Sequence, residues 1–341
     1  PFLWVGDLSE HNFYQDSWKA INWLSTLLLM INDYALFTFG KNEAFLMWSR
    51  VSFLLVLLSI NLSAQNFVNF NQFYGTSVWQ NPSLTGISGQ SRVQSSMRVR
   101  RTQGFNSFNN SYYISAEVVN DKLPLDIGFI GLYDDFVIFS LEELQLGLSI
   151  SRAFKLPKDI SLRLGVSSQF IGRSQQLNNA TLSGSAGIFN AGFTLAGSRF
   201  LISYSALSLN RPIISMSDNF LLKYQVSHNL NASFQLWRSD PEDNRGFYAS
   251  FSYFKSEIPS RGINLIYRQK RLKCGIGYFI PKQYCIYLGA SFDKFSLNYS
   301  YQMERSTLTN LLVLNHQFSF ALMLGNEVER ARGSKLIQSL F

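Results

Sequence analysis

QVSHNLNASFQLW, residues 225–237, decides the fold. Val226, His228, Leu230, Ala232, Phe234 and Leu236 fall on one face of an extended chain. Gln225, Ser227, Asn229, Asn231, Ser233 and Gln235 fall on the other. A period of two with one apolar and one polar face is the signature of a β-strand. The pattern recurs. Phe295, Leu297, Tyr299 and Tyr301 alternate with Ser296, Asn298, Ser300 and Gln302, and Leu144, Leu146, Leu148 and Ile150 alternate with Gln145, Gly147, Ser149 and Ser151.

Working outward gives about fourteen such segments, near 92–99, 111–119, 125–133, 142–152, 159–171, 188–197, 199–208, 223–237, 246–254, 262–269, 271–279, 283–292, 294–302 and 316–324. Asn120-Asp121-Lys122, Pro157-Lys158-Asp159 and residues 239–244 supply turn chemistry between them. Nine to thirteen residues suit a tilted strand crossing a bilayer. A soluble sandwich also alternates, but its apolar faces must meet each other. A membrane barrel turns them to lipid and leaves no open edge. The 30 Phe and 16 Tyr, with aromatics such as Trp237, Tyr253, Phe254, Tyr278 and Phe279 at strand ends, favour the barrel. The fold class expected is all-β, a transmembrane antiparallel β-barrel over 91–324, with both ends of the barrel chain on the periplasmic side.

Upstream, residues 47–65 have the order of a secretory signal peptide. Arg50 supplies a positive charge, 51–62 an apolar run too short to span a bilayer, and Ser63-Ala64-Gln65 a small-residue cut site. A buried core helix is the bland alternative. Residues 1–46 are read as an over-extended upstream frame, against the alternative of an inner-membrane anchor. Of 30 basic and 22 acidic residues, three and five respectively lie in 1–65, so the rest carries a surplus of ten positive charges. Export argues against nucleic acid and for lipid headgroups or an acidic partner. Residues 66–90 precede the first strand as a plug or periplasmic segment, and 325–341 form a C-terminal tail.

Residues 66–86 read NFVNFNQFYGTSVWQNPSLTG. Phe70-Asn71-Gln72-Phe73-Tyr74 and the Asn81-Pro82-Ser83-Leu84-Thr85-Gly86 element resemble the opening of the PorP/SprF family, outer-membrane proteins of the type IX secretion and gliding machinery of Bacteroidota. Members usually carry Ala where Ser83 stands. Residues 207–212 (LSLNRP), followed by Leu222-Lys223-Tyr224 and His228, are similar to a second region of that family. The resemblance implies an outer-membrane accessory or anchor supporting export or attachment of large surface adhesins. Its partners would be the type IX translocon, periplasmic components, a secreted adhesin and outer-membrane lipids. A channel for a small hydrophobic solute is the alternative.

Phe67, Phe70, Gln72, Phe73, Tyr74, Asn81, Pro82 and Gly86 are the candidate plug or partner-binding residues, because aromatic and amide side chains suit packing in a polar lumen. Arg163 alternates with Ser161, Gly165 and Ser167, so it is the candidate lumen-facing charge. No catalytic residue, metal site or cofactor is expected, and the protein is not read as an enzyme. His228 and His316 lack partners at metal spacing. His228 invites comparison with a lipid-facing Ser/His hydrolase, but Ser227 points to the opposite face. Asp134, Asp135, Glu142 and Glu143, and Asp240, Glu242 and Asp243, are read as charged loops rather than a calcium cup. Arg98, Arg100 and Arg101 are read as a solvated strand end. Cys274 and Cys285 fall on opposite faces and are expected to be free thiols.

Overall fold

The computed structural model describes residues 76–103, 108–120, 122–137, 140–157, 160–177, 180–217, 220–238, 245–255, 260–280, 283–305 and 312–325. The proposed leader, Phe67, Phe70, Gln72, Phe73, Tyr74, the 239–244 acidic turn and the tail beyond 325 lie outside them.

Strands β1 (Ser91–Thr102), β2 (Phe108–Val118), β3 (Asp126–Phe136), β4 (Leu141–Leu156), β5 (Ile160–Leu177), β6 (Ala180–Ala196) and β7 (Phe200–Leu207) form an antiparallel meander. It continues through β10 (Ser227–Arg238), β11 (Arg245–Lys255), β12 (Ser260–Gln269), β13 (Leu272–Ile280), β14 (Gln283–Ser291), β15 (Phe295–Arg305) and β16 (Leu312–Leu324). The 14 strands close when β1 pairs with β16 from Ser91↔Leu324 to Thr102↔Val313. Closure satisfies the ladder on every strand, which hydrocarbon demands because it offers no substitute partners.

Alternation sorts the faces. Ile114, Phe129, Val166 and Leu288 are exposed on the outer surface, whereas Ser115, Ser149, Ser167 and Ser300 are buried inside. Ser91 and Leu324 share one end. The longest connection, residues 208–226, leaves the opposite end, which makes that end extracellular. Tyr112 and Tyr133 stack there, centroids 6.3 Å apart, and Tyr204, Tyr253, Tyr278, Tyr284 and Tyr299 extend the outer belt. Phe254 and Phe279 instead take inward positions in the alternation.

Two expectations fail. The segment 223–237 is not one strand. The ladder breaks at 224–226, where Tyr224 turns inward and its N–H donates to the Pro212 carbonyl at 2.9 Å. Before it, β8 (Ile213–Ser217) and β9 (Phe220–Lys223) form a separate hairpin. Ile214 and Met216 pack on the inward-facing Ile171 and Ile188, and Tyr224 joins them. The charged groups form the second failure. Asp134, Glu143 and Arg98 are not solvated at strand ends but buried inside the wall. Sequence position placed them near turns, whereas register places them opposite one another across neighbouring strands.

Cys274 is exposed and Cys285 buried, and both are free. They lie on the two faces of adjacent strands, where no disulfide can form.

Candidate functional site: a segment seated in the lumen

Residues 76–90 lie inside the barrel. Their path is set locally. Ser77–Gln80 makes one helical turn and Pro82–Leu84 one 3₁₀ turn. Asn81 separates them with extended backbone, and its side chain accepts from the Ser83 N–H at 2.9 Å. Pro82 at the first helical position has no N–H to lose and a φ already suited to the turn. Gly86 has φ +70°, and a Cβ there would stand 2.7 Å from Asp126 Cβ, so both backbone and space require glycine.

The segment follows one inward row of wall residues: Asp126↔Ser151↔Gly165↔Gly192↔Ser205↔Asn229. Asn229 Nδ2 donates to Gln80 Oε1 (3.3 Å), and Ser205 Oγ to the Gln80 carbonyl (2.6 Å). Asn81 Nδ2 donates to the Tyr204 carbonyl at 3.2 Å. Gly192 and Gly165 let Asn81 and Pro82 lie against the strand backbone; a Cβ on either would overlap them. Ser151 Oγ donates to the Thr85 carbonyl at 2.7 Å. Ser83 Oγ meets Thr194 Oγ1 at 2.6 Å, so the hydroxyl at the position where alanine was the family expectation has a buried partner.

Arg163 fixes the middle of this path. It is 1% exposed. Its Nε donates to the Ser83 carbonyl (3.1 Å) and its Nη2 to the Thr85 carbonyl, Ser151 Oγ and Asp126 Oδ2 (2.7 Å to the carboxylate). At the near end Arg92 pairs with Glu117 at 2.5 Å, both fully buried, and Arg92 Nη2 also donates to Ser77 Oγ. Glu117 Oε2 accepts from the Gly86 N–H at 2.7 Å. The four ionic groups sum to zero charge, as burial requires.

Apolar side chains of the segment meet apolar residues that interrupt the polar lining. Val78 and Trp79 pack with Tyr113, Ile130 and Leu132. Leu84 and Ile87 pack with Ala196, Leu201 and Tyr248, and Ile266 on β12 adds to the cluster. The segment therefore reaches from β2 across to β12.

A second inward row lies nearer the outer mouth: Arg173↔Glu143↔Asp134↔Ser111↔Arg98↔Gln317. Arg98 Nη2 donates to Ser111 Oγ at 2.9 Å, and that hydroxyl donates to Asp134 Oδ1 at 2.5 Å. Arg173 pairs with Glu143 and lies over the Tyr224 ring, 5.2 Å from its centroid. Tyr224 Oη donates to Glu143 Oε2 at 3.4 Å. Gln145 Nε2 donates to Glu143 Oε1 (2.5 Å) and its Oε1 accepts from Trp79 Nε1 (3.2 Å). A chain of hydrogen bonds thus runs from the lumen segment to the base of the β8–β9 hairpin.

This chain predicts coupling between residues that share no direct bond. In a Trp79→Phe/Tyr224→Phe double-mutant cycle followed by urea unfolding, the interaction energy is expected at about 0.5–1 kcal/mol. Strict additivity would show that the two bonds act independently.

The remaining candidates fall outside this site. His228 Nδ1 lies 2.7 Å from Tyr204 Oη on the outer face, while Ser227 is buried inside, so the two form no catalytic pair. His316 has the same arrangement with Tyr299 at 2.9 Å. Among the described residues no group of three or more His, Cys, Asp or Glu could hold a metal. Sequence reasoning missed Ser151, Thr194, Ser205, Asn229 and Glu117. Their inward position was readable, but not that they share a row.

Among curated proteins none matches the chain. Solved structures similar to it include a TodX deltaS2S3 mutant monoaromatic hydrocarbon channel, at 10% identity and TM-score 0.46, covering 77% of this chain and 96% of that one. A Pseudomonas aeruginosa FadL homologue shows 10% identity and TM-score 0.43, with 76% and 99% covered. The Acinetobacter baumannii outer membrane protein Omp33 shows 7% identity and TM-score 0.42, with 70% and 100% covered. The family model for the type IX secretion system membrane protein PorP/SprF matches residues 62–322. Together with a closed barrel whose outer face is apolar, that match over most of the chain places the protein in the PorP/SprF family of type IX secretion system membrane proteins.

Proposed function

We propose that this protein is an outer-membrane anchor or accessory of the type IX machinery, reaching the membrane by a cleaved signal peptide and supporting export or surface attachment of large adhesins. The lumen segment, with its continuation through Phe67, Phe70, Gln72, Phe73 and Tyr74, is its contact to periplasmic components. Asn81, Pro82 and Gly86 shape that segment and Arg163 holds it. The observation that supports this reading most is the row of hydrogen bonds binding residues 80–85 to the wall from β4 to β10. A pathway for solute needs free lumen, whereas a fixed internal segment suits a scaffold.

Deleting the gene and comparing surface and secreted proteomes tests the role. Loss of a few large surface proteins with other secretion intact is the expected result. An unchanged proteome would sink it. In planar bilayers the purified protein is expected to stay closed; steady conductance would replace the anchor reading with that of a transport channel.

A further inference from the structure

The β8–β9 hairpin stands inside the outer mouth with one face on the wall and the other bare. Ile214 and Met216 pack on the inward-facing Ile171 and Ile188. The opposite face carries Ile213, Ser215, Leu221 and Lys223, and Ile213 and Leu221 are 54% and 52% exposed. Lipid covers apolar side chains on the outer wall, whereas a face inside the mouth meets only water or protein. Apolar side chains bared there mark a surface for another protein.

One edge of the hairpin is bare as well. The Tyr224 N–H donates to the Pro212 carbonyl, so in this antiparallel register the next bonded pair is Ile214 with Leu222. The N–H and C=O groups of Ile213, Ser215, Leu221 and Lys223 therefore point away from the partner strand. On β8 that edge meets β6, where a Cβ on Gly184 would collide with the Ser215 carbonyl. On β9 no further strand pairs with it among the described residues. Its main-chain groups at Leu221 and Lys223 match the spacing of another extended chain. A small apolar solute would cover Ile213 and Leu221 but leave this edge unpaired. Lys223 is exposed on the same face, so a carboxylate fits beside it.

We infer that β9 is a docking edge for an extended peptide entering from outside the cell, with alternate apolar side chains on Ile213 and Leu221 and an acidic group at Lys223. The inference rests on the secretion reading, since the peptide belongs to the surface protein that the barrel anchors.

Leu221→Pro removes an edge N–H while sparing the ladder to β8, and Leu221→Val keeps it. Each variant is expressed in cells lacking the gene, folding is checked by heat-modifiability on gels, and surface proteins are quantified. The proteins lost on deletion are expected to fall about fivefold with Leu221→Pro, the worth of one hydrogen bond, and to keep parental levels with Leu221→Val. The photo-crosslinker p-benzoylphenylalanine in place of Leu221 is expected to capture one of those same proteins, and in place of the wall-facing Leu222 to capture none. Parental levels with a folded Leu221→Pro would overturn the docking edge and leave the secretion reading standing. No loss on deletion itself would overturn both. If Leu221→Pro fails to fold, the two crosslinking positions decide: equal capture at both, or none at 221, overturns the edge.

Discussion

Replacing Arg163 with methionine is expected to lower the unfolding free energy by about 3–5 kcal/mol, the usual cost of breaking a buried pair from one side. Methionine keeps much of the volume but leaves the Asp126 carboxylate without its cation. The Ser83 and Thr85 carbonyls also lose the donors that hold the segment down. Urea unfolding of the purified barrel measures the loss. An Arg163→Met/Asp126→Asn variant should recover part of it, because the stranded charge is removed, though the Ser83 carbonyl still lacks its guanidinium donor and the Thr85 carbonyl keeps only Ser151. A loss below about 1 kcal/mol in the single variant would mean that water reaches this pair and replaces the guanidinium.

Gly165→Val and Gly192→Val are expected to expel the segment rather than merely to weaken it. At position 165 the new side chain would occupy the space of the Pro82 carbonyl and the Ser83 nitrogen, and at 192 that of Asn81 Oδ1. Those neighbours are backbone, or a side chain already bonded to Ser83 and to the wall, so they cannot swing aside. Overpacking a close contact costs about 1–3 kcal/mol even where side chains adjust. Here the cheaper response is release of residues 77–86. Hydrogen exchange of those amides should rise toward that of an open segment, and conductance should appear in planar bilayers. Gly187→Ala is the control on the same strand as Gly192, since a Cβ there meets nothing within 4 Å. It should change stability by less than about 0.5 kcal/mol. Normal protection in both valine variants would show that the segment can seat without close approach.

The period of two made the strands legible, because lipid and lumen impose opposite polarities on neighbouring residues. What it hid were inward residues that another piece of protein covers. Phe170-Ile171, Ile188-Phe189, Phe200-Leu201 and Phe247-Tyr248 each put two apolar residues in succession, one outward and one inward. Every one of these inward members touches the lumen segment or the β8–β9 hairpin. Such doublets are a readable sign of a filled lumen. Residues 209–223 were illegible as a hairpin for a related reason. Ile213 faces solvent and Ile214 the wall, so β8 lacks the polarity contrast of its neighbours. Asp134 and Glu143 needed register, which depends on turn lengths and shear rather than on local composition. Asn81, Pro82 and Gly86 could be singled out as a motif, but the wall row they follow could not be read from it.

Most of the wall's donors grip the main chain of the lumen segment. The carbonyls of Gln80, Pro82, Ser83 and Thr85 accept from Ser205, Ser149, Arg163 and Ser151. Every residue type supplies the same main-chain carbonyl whatever its side chain, so these bonds recognise a path and not a spelling. Selection therefore bears hardest on the cradle, and within the segment on the residues that bend the chain and on those whose side chains pack or bond, such as Val78, Trp79, Ser83, Leu84 and Ile87. Related barrels are expected to tolerate wide drift along their inserts while keeping small residues and hydroxyls on this row, and one insert should be exchangeable for another of the same shape.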